Sequence, residues 1–340
     1  MLSHKRTNST RAYNIAVIRR NGLGDLLCTV PLLQYIHLSI PHASTTLFVD
    51  KRNAPLIPYL SYFENIVIFP GGNKYFSTLK TAWKFRSKRF DLAISAKTSP
   101  MKLMNIFLYT LGASNRTALV DDSWHSCLIN QKIYHNPKTS LLHQALKSLH
   151  LVNPALDKIP QKLYPTIKTS TLIDKHRIYE KFLPPKFNEN HSPLILISTS
   201  YNRPFSNPTE EIYLPTLNSL HKKQPLRVII SHLPKDTEHA QKLSSRLLCP
   251  SFPISTKNFS QFLSLIAASD LIFIGDGGTM HLAAALNKPQ VTLFGQTRIE
   301  EWSPLSDRAI CFYHPLHVRY IDKAKIIKAL HHQINKFMPL

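Results

Sequence analysis

Residues 271–286 narrow the choice of folds more than any other stretch. Leu271-Ile272-Phe273-Ile274 is a short, continuous, partly β-branched apolar run, which reads as a strand buried on both faces. It ends at Gly275-Asp276-Gly277-Gly278-Thr279, and Ala283-Ala284-Ala285-Leu286 then carries a helix of small residues. A strand buried on both faces needs helices packed over it, so this order points to a parallel sheet covered by helices. The chain opens the same way. Ile15-Ala16-Val17-Ile18 reads as a strand, Gly22 and Gly24 punctuate it, and residues 25–40 have helical spacing, with Pro31 near the first turn and Pro41 at the end.

The alternation continues between and beyond these motifs. Strands are expected at 45–49, 66–69 and 92–95 with a helix at 79–85, then strands at 194–197, 227–230 and 290–294 with helices at 210–221, 237–247 and 260–269. Between 154 and 193 the composition shifts, with Pro154, Pro160, Pro165, Pro184 and Pro185 framing one polar helical stretch at 172–182. This reads as a linker. A length of 340 residues accommodates two α/β domains, each with its own core.

The charge balance bears on partners. Lys plus Arg number 42 against 20 Asp plus Glu, a net +22, so anionic partners are expected: nucleic acid, acidic lipid or a phosphorylated substrate. Charge alone does not choose among them, and solubility is a sufficient reason for it. No run approaches the roughly 20 apolar residues that span a bilayer. Asn14, Arg19, Arg20 and Asp25 interrupt the apolar stretch a signal peptide would need, so a cytoplasmic location is expected. Cys28, Cys127, Cys249 and Cys311 form no close pair, and the 17 histidines form no close constellation. The cysteines read as reduced and structural, and no metal site is expected.

Arg19-Arg20-Asn21-Gly22-Leu23-Gly24-Asp25 joins the first strand to its helix, where backbone N–H groups and the helix dipole can receive an anion. Leu27 stands where a dinucleotide fingerprint would place its third glycine, which argues against NAD although Asp50 lies near the expected acidic position. Asp25 fits a helix cap, and it equally fits a general base that takes a proton from a sugar hydroxyl; one residue can do both. Arg19, Arg20, Gly22 and Gly24 are candidates to bind an anionic acceptor, against the commoner outcome of a solvated basic pair. In the second motif, Gly277 and Gly278 would let a diphosphate approach the backbone while Thr279 adds a donor at a helix N-terminus. Asp276 could simply cap that helix, and His281 could simply pack.

Gly275-Asp276-Gly277-Gly278-Thr279-Met280-His281, followed by Leu282-Ala283-Ala284-Ala285-Leu286, Lys288-Pro289 and Leu293-Phe294-Gly295-Gln296-Thr297, resembles the signature of glycosyltransferase family 9, the lipopolysaccharide heptosyltransferases. Arg19 through Asp25 with Pro31 resembles that family's opening motif. The resemblance implies the α/β GT-B class: two Rossmann-like domains with parallel sheets facing across a cleft. The domains would be an acceptor-binding 1–170, a linker at 171–192, a nucleotide-sugar-binding 193–322, and a C-terminal helix at 323–340 packing back on the first domain. It also implies inverting, metal-independent transfer of heptose from ADP-heptose to the inner core of lipopolysaccharide, with the nucleotide sugar as co-substrate and no cofactor. Asp25 would be the catalytic base. Asp276, Gly277, Gly278, Thr279 and His281 would contact the donor sugar and its phosphates, as would Thr199 and Ser200.

The chain departs from the family pattern in three places. Arg203, within Asn202-Arg203-Pro204-Phe205, stands near the family's lysine and is expected to neutralise the leaving diphosphate, although a guanidinium fork is not equivalent to an ammonium. Either Asp236 or Glu238 would contact the donor ribose. Thr297-Arg298 lacks the usual acidic or Pro continuation, and the alternative is a family-9-like transferase that uses another nucleotide sugar or acceptor. The expected partners are a nucleotide sugar, an anionic lipopolysaccharide precursor and, peripherally, the anionic cytoplasmic face of the inner membrane; a monomer is expected. A nucleic-acid-binding protein is the rival from another class, motivated by Tyr75, Phe76, Trp83 and Phe85 among lysines. The basic residues are spread over the whole chain and 74–89 reads equally well as an amphipathic helix, so that rival is disfavoured. An intact Asp25 disfavours a non-catalytic binding protein.

Overall fold

A computed structural model describes residues 12–136, 141–169, 183–184, 187, 192–200 and 203–338. The chain divides into two compact units, Met1–Pro165 and Thr166–Leu340.

The first unit holds β1 (Tyr13–Arg19), β2 (Ala43–Val49), β3 (Asn65–Ile68), β4 (Leu92–Ser95), β5 (Asn115–Val120) and β6 (Gln131–Tyr134). All pair in parallel, in the order β3-β2-β1-β4-β5-β6. Its helices are α1 (Leu23–Leu27), α2 (Val30–Ser39), α3 (Lys74–Phe85), α4 (Lys102–Leu111) and α5 (Gln144–His150). Phe48 centres the core on one side of the sheet. The rings of Phe69, Phe85, Phe90 and Phe107 lie 6.2, 5.6, 6.0 and 5.5 Å from it, mostly edge to face, the arrangement that aromatic quadrupoles favour.

The second unit holds β7 (Leu194–Ser198), β8 (Arg227–His232), β9 (Ser251–Ser255), β10 (Leu271–Gly275), β11 (Gln290–Gly295) and β12 (Ala309–His314), again all parallel, in the order β12-β11-β10-β7-β8-β9. Its helices are α6 (Glu210–Lys223), α7 (Thr237–Arg246), α8 (Phe259–Ala268), α9 (Gly278–Ala285), α10 (Ile299–Trp302) and α11 (Lys323–Phe337). Numbered from its own first strand, each sheet runs 3-2-1-4-5-6, so the order reverses between β1 and β4 and between β7 and β10. Ligands of doubly wound sheets bind beyond the carboxyl ends of the strands at such reversals.

Two expectations change. The helix expected over 25–40 is two helices, α1 and α2. In an unbroken helix Pro31 would have to donate to the Leu27 carbonyl, and it has no N–H to give; the chain restarts with Thr29 as the new cap residue and Pro31 in the first turn. The final helix places Ile326, Leu330 and Ile334 in the second unit's core, beside α6. The boundary between units falls at 165, ahead of the linker expected at 171–192, and most of that linker, with its helical stretch 172–182, lies outside the described residues.

Candidate functional site

Each unit carries a charged cluster at its own sheet reversal. In the first, Arg19 at the end of β1 is completely buried. One terminal nitrogen donates to the Ala96 carbonyl just past β4, and the other donates to Asp25 Oδ1 at 2.5 Å. Asp25 therefore sits at the junction of the two central strands with its side chain 22% exposed. Gly22 N also donates to Asp25 Oδ2 at 3.2 Å, so the carboxylate closes a box over the first turn of α1. The cap and the base are compatible here, because the capping bond and the Arg19 bond fix the carboxylate and still leave part of it open. Arg19, taken above as an acceptor contact, is corrected to the buried holder of Asp25. Burial pushes its guanidinium down from the ordinary arginine value, and Asp25 opposes that shift.

Lys97, two residues beyond β4, belongs to this cluster. It is half-buried, and burial, then the Arg19 cation, lower its ammonium below the usual lysine value while Asp25 raises it. Nothing local in the sequence marks it: only the pairing of β1 with β4 brings it near Asp25.

Arg20 points elsewhere. It donates to Asp50 Oδ1 at 2.7 Å and to Thr78 Oγ1 at 2.6 Å, and its guanidinium lies 4.6 Å from the Phe69 ring centre. Asp50 also accepts from Asn21 N at 3.0 Å, which holds Asn21 at φ 103°. Arg20, Asn21, Asp50 and Phe69 border a cavity of about 570 Å³ whose wall includes Lys51, Arg52 and Lys74, a basic basin beyond the ends of β1, β2 and β3. Asp50, noted above for its position in a dinucleotide pattern, is the carboxylate that fixes this basin. Gly22 is the cap residue of α1 in ordinary extended conformation, and Gly24 lies inside that helix.

In the second unit the polarity is reversed. Asp276, just past β10, has a side chain only 2% exposed, and it accepts from Arg203, whose side chain is 49% exposed. Arg203 also reaches Thr297 Oγ1 at 3.3 Å and lies 5.9 Å from the Trp302 ring centre. His281 is buried in the first turns of α9 with its ring 6.2 Å from Trp302, so Trp302 forms a wall of this cluster.

Arg203 is aimed by backbone. The short turn Pro204–Ser206 lies across the ends of β10 and β11 so closely that a Cβ at Gly275 would stand 1.8 Å from the Ser206 carbonyl oxygen, and one at Gly295 2.0 Å from that of Phe205. Ser206 Oγ locks the crossing by accepting from Gly295 N at 3.2 Å. These glycines therefore serve a chain crossing. Gly277 is different: a Cβ there meets nothing within 4 Å, and its φ of 169° suits any residue. The space beside it, at the head of α9 with Gly278 and the half-exposed Thr279, is where a diphosphate would find room and unpaired helix N–H groups.

The loops after β7 and β8 are laced together through Ser200. Its hydroxyl donates to the Asp236 carboxylate and accepts from Leu233 N at 2.8 Å. Glu238 stands exposed in the first turn of α7, so the geometry gathers Asp236, and not Glu238, with Ser200. Among the described residues the buried Thr199 hydroxyl has no hydrogen-bond partner, at the end of β7.

Against known proteins, the profile of glycosyltransferase family 9 (heptosyltransferase) matches residues 78–328. The chain is 23% identical over 311 residues to lipooligosaccharide heptosyltransferase 2 of Haemophilus influenzae, covering 87% of each. Its fold is similar to the family 9 glycosyltransferase of Veillonella parvula, with a TM-score of 0.77 at 15% identity over 95% of this chain and 97% of that one. It is similar as well to the ADP-heptose lipopolysaccharide heptosyltransferase II of E. coli, with a TM-score of 0.76 at 19% identity over 95% and 99%.

Proposed function

The chain belongs to glycosyltransferase family 9, and from that premise we propose that it transfers a heptose from ADP-heptose to the phosphorylated inner core of a lipopolysaccharide precursor, inverting the anomeric centre. In this reading Asp25 takes the proton of the acceptor hydroxyl as that oxygen attacks the anomeric carbon. The diphosphate leaves as ADP, held by Arg203 and by the N–H groups at the head of α9, which act where negative charge develops. Asp276 fixes Arg203. Thr199, Ser200, Thr279 and His281 bind the donor, with Asp236 toward its ribose. Arg20, Lys51, Arg52 and Lys74 receive the acceptor's anionic groups in the basic basin, and Lys97 keeps positive charge beside Asp25.

The observation that carries this reading is the opposed polarity of the two ion pairs. One unit presents a partly exposed carboxylate on a buried arginine, suited to a base, and the other presents a half-exposed guanidinium on a buried aspartate, suited to a diphosphate.

Purified protein heated with ADP-, UDP- and GDP-sugars tests the donor. A ligand bound only by the native state raises the melting temperature in step with its affinity, so ADP-heptose should stabilise most. Stabilisation by UDP- or GDP-sugars instead would keep the transferase and discard the heptose donor. Absence of transfer to any phosphorylated core acceptor, with donor binding intact, would discard the acceptor.

A further inference from the structure

Helix α3 is built inside out. Toward the protein it buries small residues, Ser77, Thr78, Thr81 and Ala82, whose hydroxyls are satisfied locally: Thr78 Oγ1 donates to the Lys74 carbonyl at 2.6 Å and Thr81 Oγ1 to that of Ser77 at 2.7 Å. Phe85 turns inward onto Phe48, but two of the helix's largest apolar side chains face outward, Phe76 70% and Trp83 73% exposed. At about 100° per residue, Phe76, Lys80 and Trp83 fall on one stripe opposite Thr78 and Ala82. The charge there is of one sign. Residues 74–89 carry Lys74, Lys80, Lys84, Arg86, Lys88 and Arg89, all exposed, and no Asp or Glu. Lys80, Trp83, Lys84, Arg86, Ser87 and Arg89 surround a surface cavity of about 650 Å³.

We propose that this face of α3, with the turn that follows it, is a docking surface for an anionic lipid bilayer. An amphipathic helix whose outward side combines Trp and Phe with Lys and Arg lies in the plane of a membrane, rings at the headgroup level and cations on lipid phosphates. The cavity beside Trp83 has the size and charge for a phosphate headgroup. Nucleic acid fits the same face less well: Phe76 and Trp83 are about 10 Å apart along the helix with Lys80 between them, so they offer no continuous platform for neighbouring bases. The helix also links this face to the basic basin, since Lys74 and Ser77 line that basin and Thr78 holds Arg20. The purpose of docking, to bring a lipid-borne acceptor to the basin, rests on the function proposed above; the docking itself does not.

The test is co-sedimentation of the full chain with vesicles of phosphatidylcholine alone and of phosphatidylcholine mixed with phosphatidylglycerol. Binding should require the anionic lipid and fall steeply with salt. Phe76→Ser with Trp83→Ser should lower partitioning on the order of tenfold to a hundredfold, from the apolar burial lost. Lys80→Gln with Lys84→Gln should lower it by roughly tenfold or more. Both pairs should keep the parent's melting temperature and its stabilisation by nucleotide sugar, which shows that they fold. Equal binding to both vesicles, or undiminished binding of both folded variants, overturns the proposal. So does a result in which the variants lose affinity for a single-stranded oligonucleotide, or lose self-association, while vesicle binding is unchanged. Vesicle binding without any response to nucleotide sugars would sink the transferase reading and leave this one standing, and the reverse result would do the opposite.

Discussion

The two sheets share one strand order and place an arginine–aspartate pair at the same topological point, yet the pairs are mirror images in burial. At Arg19–Asp25 the cation is wholly buried and the carboxylate is 22% exposed; at Arg203–Asp276 the carboxylate is 2% exposed and the cation 49%. An ion taken out of water costs several kcal/mol unless a partner compensates it, so in each pair the buried member is committed to its partner and the exposed member is what remains for a ligand. One scaffold thus displays a negative group in one unit and a positive group in the other by choosing which residue to bury.

Substitutions in the two pairs can break this comparison. The largest expected effect is on turnover: Asp25→Asn should lower transfer about 10²–10⁴-fold while donor affinity, measured by calorimetry, stays near the parent's. An equal loss of donor affinity would reassign Asp25 to binding. The next effect is on stability, and its order should invert between the pairs. Asp25→Ala strands the buried Arg19 and should cost about 3–5 kcal/mol in denaturant unfolding, more than Arg19→Met. Arg203→Ala strands the buried Asp276 and should cost more than Asp276→Ala, by about 1–2 kcal/mol because solvent screens the half-exposed arginine. The same order in both pairs would refute the inversion.

The glycines sharpen the second half of the comparison. Gly275→Ala drives a Cβ into the Ser206 carbonyl and should destabilise the unit by about 1–3 kcal/mol. Gly277→Ala should melt with the parent and lose donor affinity, because it fills only the space assigned to the ligand. Unchanged donor affinity would move the diphosphate elsewhere.

The last effect, absent at neutral pH, concerns Cys28, which lies next to the first pair. Burial pushes its thiol up from 9.0 to about 12, with Arg19 pulling the other way. Between those values the native protein keeps a proton that the unfolded chain has released, so stability is complete below the lower value and declines as pH rises toward the upper one. Cys28→Ala should remove that decline, at most about 1.4 kcal/mol per pH unit, from unfolding free energies measured across the window. An unaltered slope would show that Cys28 titrates normally.

The alternation of short apolar runs with glycine turns was enough to place β1, β4, β7, β10 and β11, because central strands are buried on both faces and show it in composition. The rule is not strict: the edge strand β3 is legible at 66–69, whereas the inner strand β5, which opens with Asn115-Arg116-Thr117, is not, and neither are the edge strands β6, β9 and β12. β9 contains Pro253, tolerable at an edge that leaves one N–H unpaired, and β6 is largely exposed, so neither carries an apolar run. Asp25, Asp276 and Arg203 were legible from motifs, whereas Lys97 and Trp302 depend on strand pairing and loop packing that no local pattern encodes. The direction of burial was equally hidden: Arg19 and Arg20 are adjacent in sequence, and only the sheet turns one into the interior and the other toward the basin.

The crossing of Pro204–Ser206 over the ends of β10 and β11 has a bearing on how such a chain can change. Its footing is made by carbonyls, glycines and one serine hydroxyl, none of which depends on the side chain at position 203. That position is therefore free to exchange one cation for another without refolding the ground beneath it, which makes it a natural place for donor preference to drift over descent and an economical one at which to redesign it.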